Sequence, residues 1–598
     1  MKRSLALVAL ASLGLLEACG GAAPPPPAVA PLPPPAPAPP PPPPPAPSAP
    51  TNPGLSILLR PVHDPSPHVH VEIDVSIPAS VDLKVAGGPL QAWRIRRTGV
   101  DRVSNVAAHD DTGEIKVDVA AAAPGVELTL GRPLTGAVHL SYDVAANGDA
   151  PDDPLGQLVL DDRFRGAGEG LLALPSALDD LSVPTILKID GEALRAPNAA
   201  SSFGFGASHH MTIRPRVLRY GSFLAGSMGA AKFEDDASGR DEGAWLGYTS
   251  FDPRPAVAEM AVIRTGLSEQ FKEHDNSLWT YLLMAQTRPV GSFSTTARAA
   301  SVLLQLGPSE PWSAPLRLSV GQQLAHRWIG GELRLASPPP HDAEAWWFND
   351  GVARYVAMHV LSRLGLFTAN DTKDEIAGQL AVLATTGFAK RTNAELAAEA
   401  ESNDVARAVL VARGALFAAR EAAVIRARSK GEKSLDAVLL ALVEQARHDG
   451  GRPVQATAVV DALAKEDPDA AKSFDAFITR GAPLELPPSA LGPCFHSGAG
   501  EYVAFDPGFD VVGTREAKEG RVVGLRPGGP AAKAGLREGD LVQTMTERDG
   551  DADVPVKIAV MRGGAKVNVT YLPKGAHGRG QTWARVRTVP DDHCGDMP

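Results

Sequence analysis

Hydrophobic and polar residues alternate along the chain between about positions 55 and 215. The run 68–77 has an apolar residue at every second position, and this period predicts a strand with one buried face. Runs of the same kind lie at 114–119, 126–130 and 137–144, with Gly, Pro and Asp residues between them. Many short strands separated by turn residues predict a β-sandwich over residues 55–215.

His68 and His70 belong to the first of these predicted strands. Both fall on its polar face, and no other residue of a ligand type is spaced to join them. We therefore expect two solvated histidines here and no metal site.

The apolar spacing changes to about 3.6 residues in the region that begins near position 216, which is typical of amphipathic helices. Helices are predicted over 255–273, 317–329 and 345–364. A strand is predicted over 279–285, and residues 371–480 are rich in Ala, Leu, Glu and Arg at helical spacing. That last region is therefore expected to be almost entirely helical.

Short strands and glycine turns return between about residues 492 and 580. A strand is predicted over 520–525, a short helix over 530–536 and a strand that begins near Leu541. The runs 556–562 and 566–572 predict a closing hairpin, which turns at Gly563-Gly564.

The series from Gly529 to Val542 resembles the short helix and following turn of PDZ domains. The resemblance implies a PDZ domain over 492–580, a fold that binds the C-terminus of a peptide or protein as an added strand. The loop that would hold the terminal carboxylate consists of Gly508, Phe509, Asp510 and Val511. A glycine at position 508 suits the turn that directs N–H groups outward. A PDZ fold that serves structure alone is the alternative.

The N-terminus carries the pattern of an export signal. Lys2 and Arg3 precede an apolar run, 5–16, that is too short to cross a bilayer as a mature helix. Leu16-Glu17-Ala18-Cys19 resembles a lipobox, although Glu17 is atypical at its position. The resemblance implies a lipoprotein signal over 1–19, a lipid anchor on Cys19 and a place in the bacterial cell envelope, periplasmic or surface-exposed. An ordinary cleaved signal with a chance cysteine is the alternative.

Residues 20–54 are mostly Pro and Ala, which predicts an extended polyproline II spacer between the anchor and the folded part. The chain has 598 residues, too many for one hydrophobic core, so several domains are expected.

Its net charge is -11 and it has no Lys/Arg block, which argues against nucleic acid as a partner. Cys494 and Cys594 are a lone pair in an exported chain, so we expect a disulfide between them.

Two stretches of the central region resemble the glycyl aminopeptidase family of metallopeptidases. Gln322-Gln323-Leu324-Ala325-His326-Arg327-Trp328 is similar to that family's HExxHxW, and Trp347-Phe348-Asn349-Asp350-Gly351-Val352-Ala353-Arg354-Tyr355 is similar to its WFxEGxTxYY. The resemblance covers most of residues 55–575. It implies a multidomain α+β protein with a β-sandwich over 55–215 and a C-terminal PDZ domain over 492–580. The part between them, 216–486, would be a thermolysin-like (gluzincin) domain that is helical from about residue 371.

The resemblance also identifies the positions of a catalytic zinc site. Such a site needs two histidines four residues apart on one helix and a carboxylate from the next helix. His326 matches the second histidine and Asp350 stands at the carboxylate position, one methylene shorter than Glu. The first histidine is replaced by Gln322, and a neutral amide is a poor zinc ligand.

The positions of the catalytic groups have changed as well. The general base of HExxH is Gln323, which cannot accept a proton from a zinc-bound water at neutral pH. Loss of a positioned base typically costs about 10²–10⁴-fold in rate. The tyrosine that would stabilise the oxyanion is Val411, and the edge-strand segment 291–295 lacks the Glu that would bind a substrate's amino group. We expect a degenerate peptidase without zinc that binds peptides or proteins or acts as a scaffold.

Two other functions are compatible with the sequence. One is an active zinc peptidase whose altered site uses His326, Asp350 and a loop residue, His341; His359 has the wrong helical phase to join it. The other is a PDZ binding module on a structural spacer. Asp350 and Arg354 are four residues apart, so they are expected to pair on one helix face.

Overall fold

The computed structural model describes residues 54–76, 90–146, 153, 155–195, 198–235, 239–247, 251–273, 277–286, 288–336, 342–517, 519–590 and 594. The predicted export signal, with Cys19, and the spacer as far as residue 53 lie outside the described residues, and so does His341.

The N-terminal part, as far as residue 226, consists mainly of strands. They are β1 (Leu55–Val62), β2 (His68–Val75), β3 (Ala92–Ile95), β4 (Val103–Asp110), β5 (Gly113–Ile115), β6 (Val117–Ala121), β7 (Val126–Leu130), β8 (Val138–Ala145), β9 (Leu158–Val159), β10 (Arg163–Ala167), β11 (Leu174–Pro175), β12 (Val183–Ile189), β13 (Asn198–Ser201), β14 (Gly204–Phe205), β15 (Ser208–Ile213) and β16 (Ser222–Gly226). Two short helices, α1 (Gly168–Leu171) and α2 (Pro215–Arg219), lie among them.

These strands form three sheets around one apolar core. The sheet orders are β15-β12-β1-β2-β8-β4-β5, β11-β3-β7-β6 and β14-β13-β16-β10-β9. Ile57, Trp93 and Phe223, one from each sheet, are fully buried in that core. The strands predicted at 68–77, 126–130 and 137–144 are confirmed as β2, β7 and β8.

The run 114–119 was expected to be one strand and is two. β5 pairs with β4 in the first sheet, whereas β6 pairs with β7 in the second, so the chain changes sheet at Lys116. A period of two residues gives no sign of this change of partner, because both halves alternate in the same way.

The central part places helices against a mixed sheet. Its elements are β17 (Met228–Asp235), β18 (Gly239–Leu246), α3 (Pro253–Gln270), β19 (Leu278–Ala285), β20 (Ser294–Arg298), β21 (Ser301–Leu306), α4 (Ala314–Ala325) and α5 (Ala353–Arg363). The sheet order is β17-β18-β19-β21-β20, with β20 at one edge. Val257 of α3, Leu283 of β19 and Leu324 of α4 are fully buried in one core, which joins the helices to the sheet.

The following region is helical, as its composition predicts. The helices are α6 (Ala369–Thr385), α7 (Asn393–Ala397), α8 (Asp404–Arg428), α9 (Leu435–His448), α10 (Ala456–Ala464) and α11 (Ala470–Phe474). Buried residues of α6, α8, α9, α10 and α11 belong to the same core as α4 and α5, so the mixed sheet and most of the helical body share one interior. The short helix α7 packs with the start of α8 in a separate cluster.

The C-terminal part contains β22 (Phe495–Phe505), α12 (Val511–Glu516), α13 (Pro530–Lys533), β23 (Leu541–Thr546), β24 (Val556–Arg562), β25 (Ala565–Tyr571) and β26 (Lys574–Arg585). β24 and β25 confirm the predicted hairpin, while β22 and β26 form a separate antiparallel pair. The strand expected at 520–525 is wrong: Arg521 and Val523 make only isolated bridges. Gly520 and Gly524 both have positive φ angles, which interrupt an extended strand.

Candidate functional site

The four positions of the expected zinc site come together at the end of α4. Gln322 and Gln323 lie in the last turn of this helix, which ends at Ala325 and not at the predicted residue 329. His326 is therefore the C-cap residue of α4, and its backbone N–H still donates to the Gln322 carbonyl at 3.2 Å.

Asp350 approaches from a wide helical turn, Trp347–Val352, that leads directly into α5. This turn packs closely on α8, because a Cβ atom on Gly351 would lie only 2.7 Å from the Val411 carbonyl oxygen. A Cβ on Gly414 would meet the Trp347 carbonyl at 1.6 Å. Two glycines thus allow the close approach that places Val411 beside Asp350.

His326 and Asp350 form a charge pair. His326 Nε2 lies 3.4 Å from Asp350 Oδ1, and His326 Nδ1 lies 3.2 Å from the Ile329 carbonyl oxygen. Burial alone would lower the pKa of His326, but the contact with Asp350 outweighs it and holds the pKa above its ordinary value. The protonated imidazole is therefore stabilised by a carboxylate at the place where a zinc-binding histidine must be neutral.

Gln322 is committed to protein contacts at both ends of its amide. Its Nε2 donates to the Asp350 carbonyl oxygen at 3.3 Å, and its Oε1 accepts from Arg354 Nη1 at 3.1 Å. Arg354 also binds Glu375 through two hydrogen bonds, of 2.6 and 2.9 Å. The expected pair of Asp350 with Arg354 is therefore wrong, because the guanidinium turns to Gln322 and Glu375.

This donor set does not fit zinc. Zinc sites use three or four imidazole, thiolate or carboxylate ligands at about 2 Å, whereas Gln322 offers an amide oxygen that already accepts from a guanidinium. The positive charge of Arg354 would also oppose a divalent cation bound next to it. In the part of the chain that the structure describes, no group of three His, Cys, Asp or Glu residues could hold a metal ion.

Gln323, at the position of the general base, connects α4 to the sheet edge. Its Oε1 accepts a hydrogen bond from the Ala297 backbone N–H at 2.8 Å. One turn earlier on the same helix, the Ser319 hydroxyl lies 2.5 Å from the hydroxyl of Thr295. Both partners belong to β20, the edge strand whose backbone groups would otherwise be open to an extended peptide.

The segment that leads into β20 is covered by the C-terminal part of the chain. Val290 forms a bridge with Arg548, and the Asp549 N–H donates to the Val290 carbonyl at 2.9 Å. A Cβ on Gly291 would lie 2.6 Å from the Asp549 carbonyl oxygen, so the two segments are in direct contact. The segment expected to bind a substrate's amino group in active relatives therefore contacts another part of this chain.

A cavity of about 510 Å³ remains beside these residues, lined by Gln322, Asp350, Arg354 and Val411 among others. Val411 contributes no hydrogen-bond donor there. The wall of this cavity also includes Trp346 and Arg407, and the Arg407 guanidinium carbon lies 4.8 Å from the centre of the Trp346 indole ring. Sequence reasoning missed this pair, because the two residues come from separate helical segments and no motif connects them.

The structure also shows where His359, His68 and His70 lie. His359 does not join the site, because its Nε2 pairs with Asp436 Oδ2 at 3.0 Å. His70 is partly buried and its Nδ1 lies 2.7 Å from Asp143 Oδ1, while the His68 ring contacts the Ser66 carbonyl. His68 and His70 therefore both have hydrogen-bond partners close to them in the N-terminal part.

The loop expected to bind a peptide carboxylate, Gly508–Val511, begins with the predicted glycine turn but leads into a helix. Gly508 has φ of +82°, and a Cβ there would lie 2.8 Å from the Ala531 nitrogen, so a glycine is required. Phe509 is buried, and Asp510 caps α12 by accepting from the Gly513 N–H at 2.8 Å. Because Val511 begins a helix, no strand edge follows this loop for a peptide to extend. Peptide binding at this loop remains a prediction.

The predicted disulfide between Cys494 and Cys594 is present. Both cysteines are buried in the core that the helical body shares, and the bridge ties residue 594 to the residue that precedes β22. Among the described residues, no helix is both long and apolar enough to cross a membrane.

The fold has a counterpart among solved structures. An aminopeptidase N family protein from Idiomarina loihiensis matches 91% of this chain and 100% of its own length, with a TM-score of 0.64 and 15% sequence identity. A mutant M1 zinc metallopeptidase from Deinococcus radiodurans, bound to a Tyr-Ser-Ala substrate, matches 72% of this chain and 94% of its own (TM-score 0.47, 18% identity). Yeast LTA4 hydrolase matches 72% of this chain and 68% of its own (TM-score 0.45, 9% identity).

No protein-family model matches the sequence, and no curated protein matches it either. The likeness to the Idiomarina protein, at 15% identity, establishes the fold. The chain is therefore a multidomain protein of mixed sheets and helices with the fold of an aminopeptidase N family protein.

Proposed function

We propose that this chain is an envelope lipoprotein that keeps an aminopeptidase fold without cleaving peptides and acts by binding or scaffolding. The observation that carries the proposal is the state of Gln322. Its amide bridges the Asp350 backbone carbonyl and the Arg354 guanidinium. Gln322 therefore stands where the first histidine is needed, and the positively charged guanidinium that it accepts from lies where the metal is needed.

The chemistry of the neighbouring positions supports the same proposal. Gln323 has no basic group and its oxygen already accepts from Ala297, so it can neither take a proton from water nor turn towards a substrate. Val411 offers no donor to a developing oxyanion. A peptide also cannot pair with β20 at Ala297 without breaking the contact with Gln323.

The features that remain favour binding. The cavity beside Gln322 is large enough for a side chain or short peptide segment, and Trp346 with Arg407 provides an aromatic and cationic wall. Lipidation at Cys19 would attach the protein to a bacterial membrane, and the Pro/Ala-rich residues 20–54 would hold the folded part away from it. The PDZ-type capture of C-terminal tails is the weaker alternative, because α12 follows the loop Gly508–Val511 where a strand is needed.

An altered zinc peptidase is the second candidate, and one observation favours it. The His326 Nδ1 contact with the Ile329 carbonyl leaves Nε2 facing Asp350, an arrangement that zinc-binding histidines commonly use. The zinc peptidase needs a third zinc ligand beside His326 and Asp350 while Arg354 stays in place, and the non-cleaving protein does not.

Metal content and hydrolysis decide between them. The purified protein, incubated with excess zinc and dialysed, is expected to retain no stoichiometric metal and to leave aminoacyl and peptide substrates intact. The variant Gln322→His restores two histidines four residues apart and serves as the positive control for zinc retention. One zinc per chain in the unaltered protein, together with chelator-sensitive hydrolysis that His326→Ala abolishes, would refute the proposal.

A further inference from the structure

A second cavity, of about 660 Å³, lies among α5, α6, α8 and α9 and shares no lining residue with the cavity beside Gln322. Tyr355, His359 and Ser362 face it from α5, at intervals of four and three residues that place them on one side of the helix. We call it the α5–α9 cavity. Its position is independent of the proposed loss of peptidase activity.

Two helices begin at this cavity. Thr368 caps α6 and Ser434 caps α9, and each cap oxygen accepts from the third N–H of its helix. The first two residues of both helices, Ala369-Asn370 and Leu435-Asp436, line the cavity. The N–H groups of a helix's first turn have no acceptor within the helix, and the helix dipole adds partial positive charge there. Two such ends at one cavity favour a negatively charged ligand.

Basic side chains add to this preference. Arg363, Arg426 and Lys433 line the cavity, and its one lining acid, Asp436, is paired with His359 at 3.0 Å. Lys433 Nζ also contacts the Glu466 carboxylate at 2.7 Å, and the lysine side chain is 57% exposed. The lining therefore has a net positive charge even when His359 is neutral.

Polar atoms inside the cavity wall point to a missing partner. His359 Nδ1 is buried and has no hydrogen-bond partner among the described residues. Tyr355 is 2% exposed, and burial raises the pKa of its hydroxyl well above the ordinary value, with Asp436 adding to the rise and Arg426 opposing it. A buried ring nitrogen without a partner costs stability unless a ligand or water satisfies it.

We propose that the α5–α9 cavity binds an oxyanion, a phosphate or carboxylate group held by the ends of α6 and α9 together with Arg363, Arg426 and Lys433. The volume exceeds that of a single phosphate, so the oxyanion is the charged end of a small organic molecule or of a peptide.

Calorimetric titration with inorganic phosphate at constant ionic strength tests this site. It is carried out on the full-length protein. Arg426→Gln removes one charge from the cavity and is expected to weaken phosphate binding about tenfold or more. Arg428→Gln is the matched control, since this exposed arginine lies in the same last turn of α8 but outside the lining. Lys433→Met is a second variant at an exposed position, expected to weaken binding in the same direction.

Phosphate binding that Arg426→Gln weakens and Arg428→Gln does not supports the site. Absence of phosphate binding, or an equal loss in Arg426→Gln and Arg428→Gln, overturns the proposal.

Discussion

A buried carboxylate in the helical body makes the stability of this protein depend on pH. The side chain of Glu421 on α8 is fully buried; its Oε1 contacts Arg420, while its Oε2 has no partner among the described residues. Arg420 also contacts Asp467, which is 2% exposed, so one cation serves two buried acids. Burial raises the pKa of Glu421 from 4.5 to about 7, with Asp467 adding to the rise and Arg420 opposing it.

The direction of the pH dependence follows from which state of the chain, folded or unfolded, binds the Glu421 proton more tightly. Below pH 4.5 both the folded and the unfolded chain carry the proton, and Glu421 contributes no pH dependence. As the pH rises from 4.5 to about 7, the unfolded chain ionises while the folded chain keeps its proton, so the free energy of unfolding falls. A difference of about 2.5 pH units corresponds to about 3 kcal/mol lost by pH 8.

Glu421→Gln removes this loss, because the amide keeps the shape of the side chain and does not ionise. Urea unfolding followed by tryptophan fluorescence is expected to show the variant gaining on the unaltered protein between pH 5 and pH 8, by up to about 3 kcal/mol. Glu444→Gln, at an exposed position of α9, is the matched control and should follow the unaltered protein. If the Glu421→Gln and unaltered curves run parallel over this range, the reasoning is wrong.

Three further predictions concern single contacts. Reduction of the Cys494–Cys594 disulfide opens a loop of 100 residues and is expected to cost about 4–5 kcal/mol in the chain-entropy model; an unchanged melting temperature in reductant would contradict this. Gln323→Ala frees the Ala297 N–H, so its hydrogen exchange should accelerate about tenfold, whereas Gln445→Ala on the exposed face of α9 leaves it unchanged. Gly508→Ala should destabilise the C-terminal part by about 1–3 kcal/mol, more than Gly528→Ala, which has a similar positive φ but open space around it.

Much of the fold could be predicted because local patterns decide it. β2, β7, β8, β19 and the hairpin β24–β25 follow from alternation and turn residues, and α3 and the helical body follow from apolar spacing. The chain's change of sheet at Lys116 and the end of α4 at Ala325 could not be predicted, because they depend on partners distant in the sequence.

The site was predictable in position but not in its contacts. The resemblance to the two family motifs implied that Gln322, His326 and Asp350 lie together. It could not show that Arg354 would turn from Asp350 to Gln322 and Glu375, because a four-residue spacing allows either pairing. The contact of Asp549 with Val290 joins segments far apart in the chain, and no pattern in either segment indicates it.

The hydrogen bond between Gln323 and Ala297 also affects how copies of this protein meet. An edge strand with open backbone groups can pair with the same strand of a neighbouring molecule. Molecules that a lipid anchor on Cys19 would hold on one membrane surface would encounter one another often. By occupying an N–H of β20, the glutamine removes one backbone donor through which this edge strand could pair with a second copy.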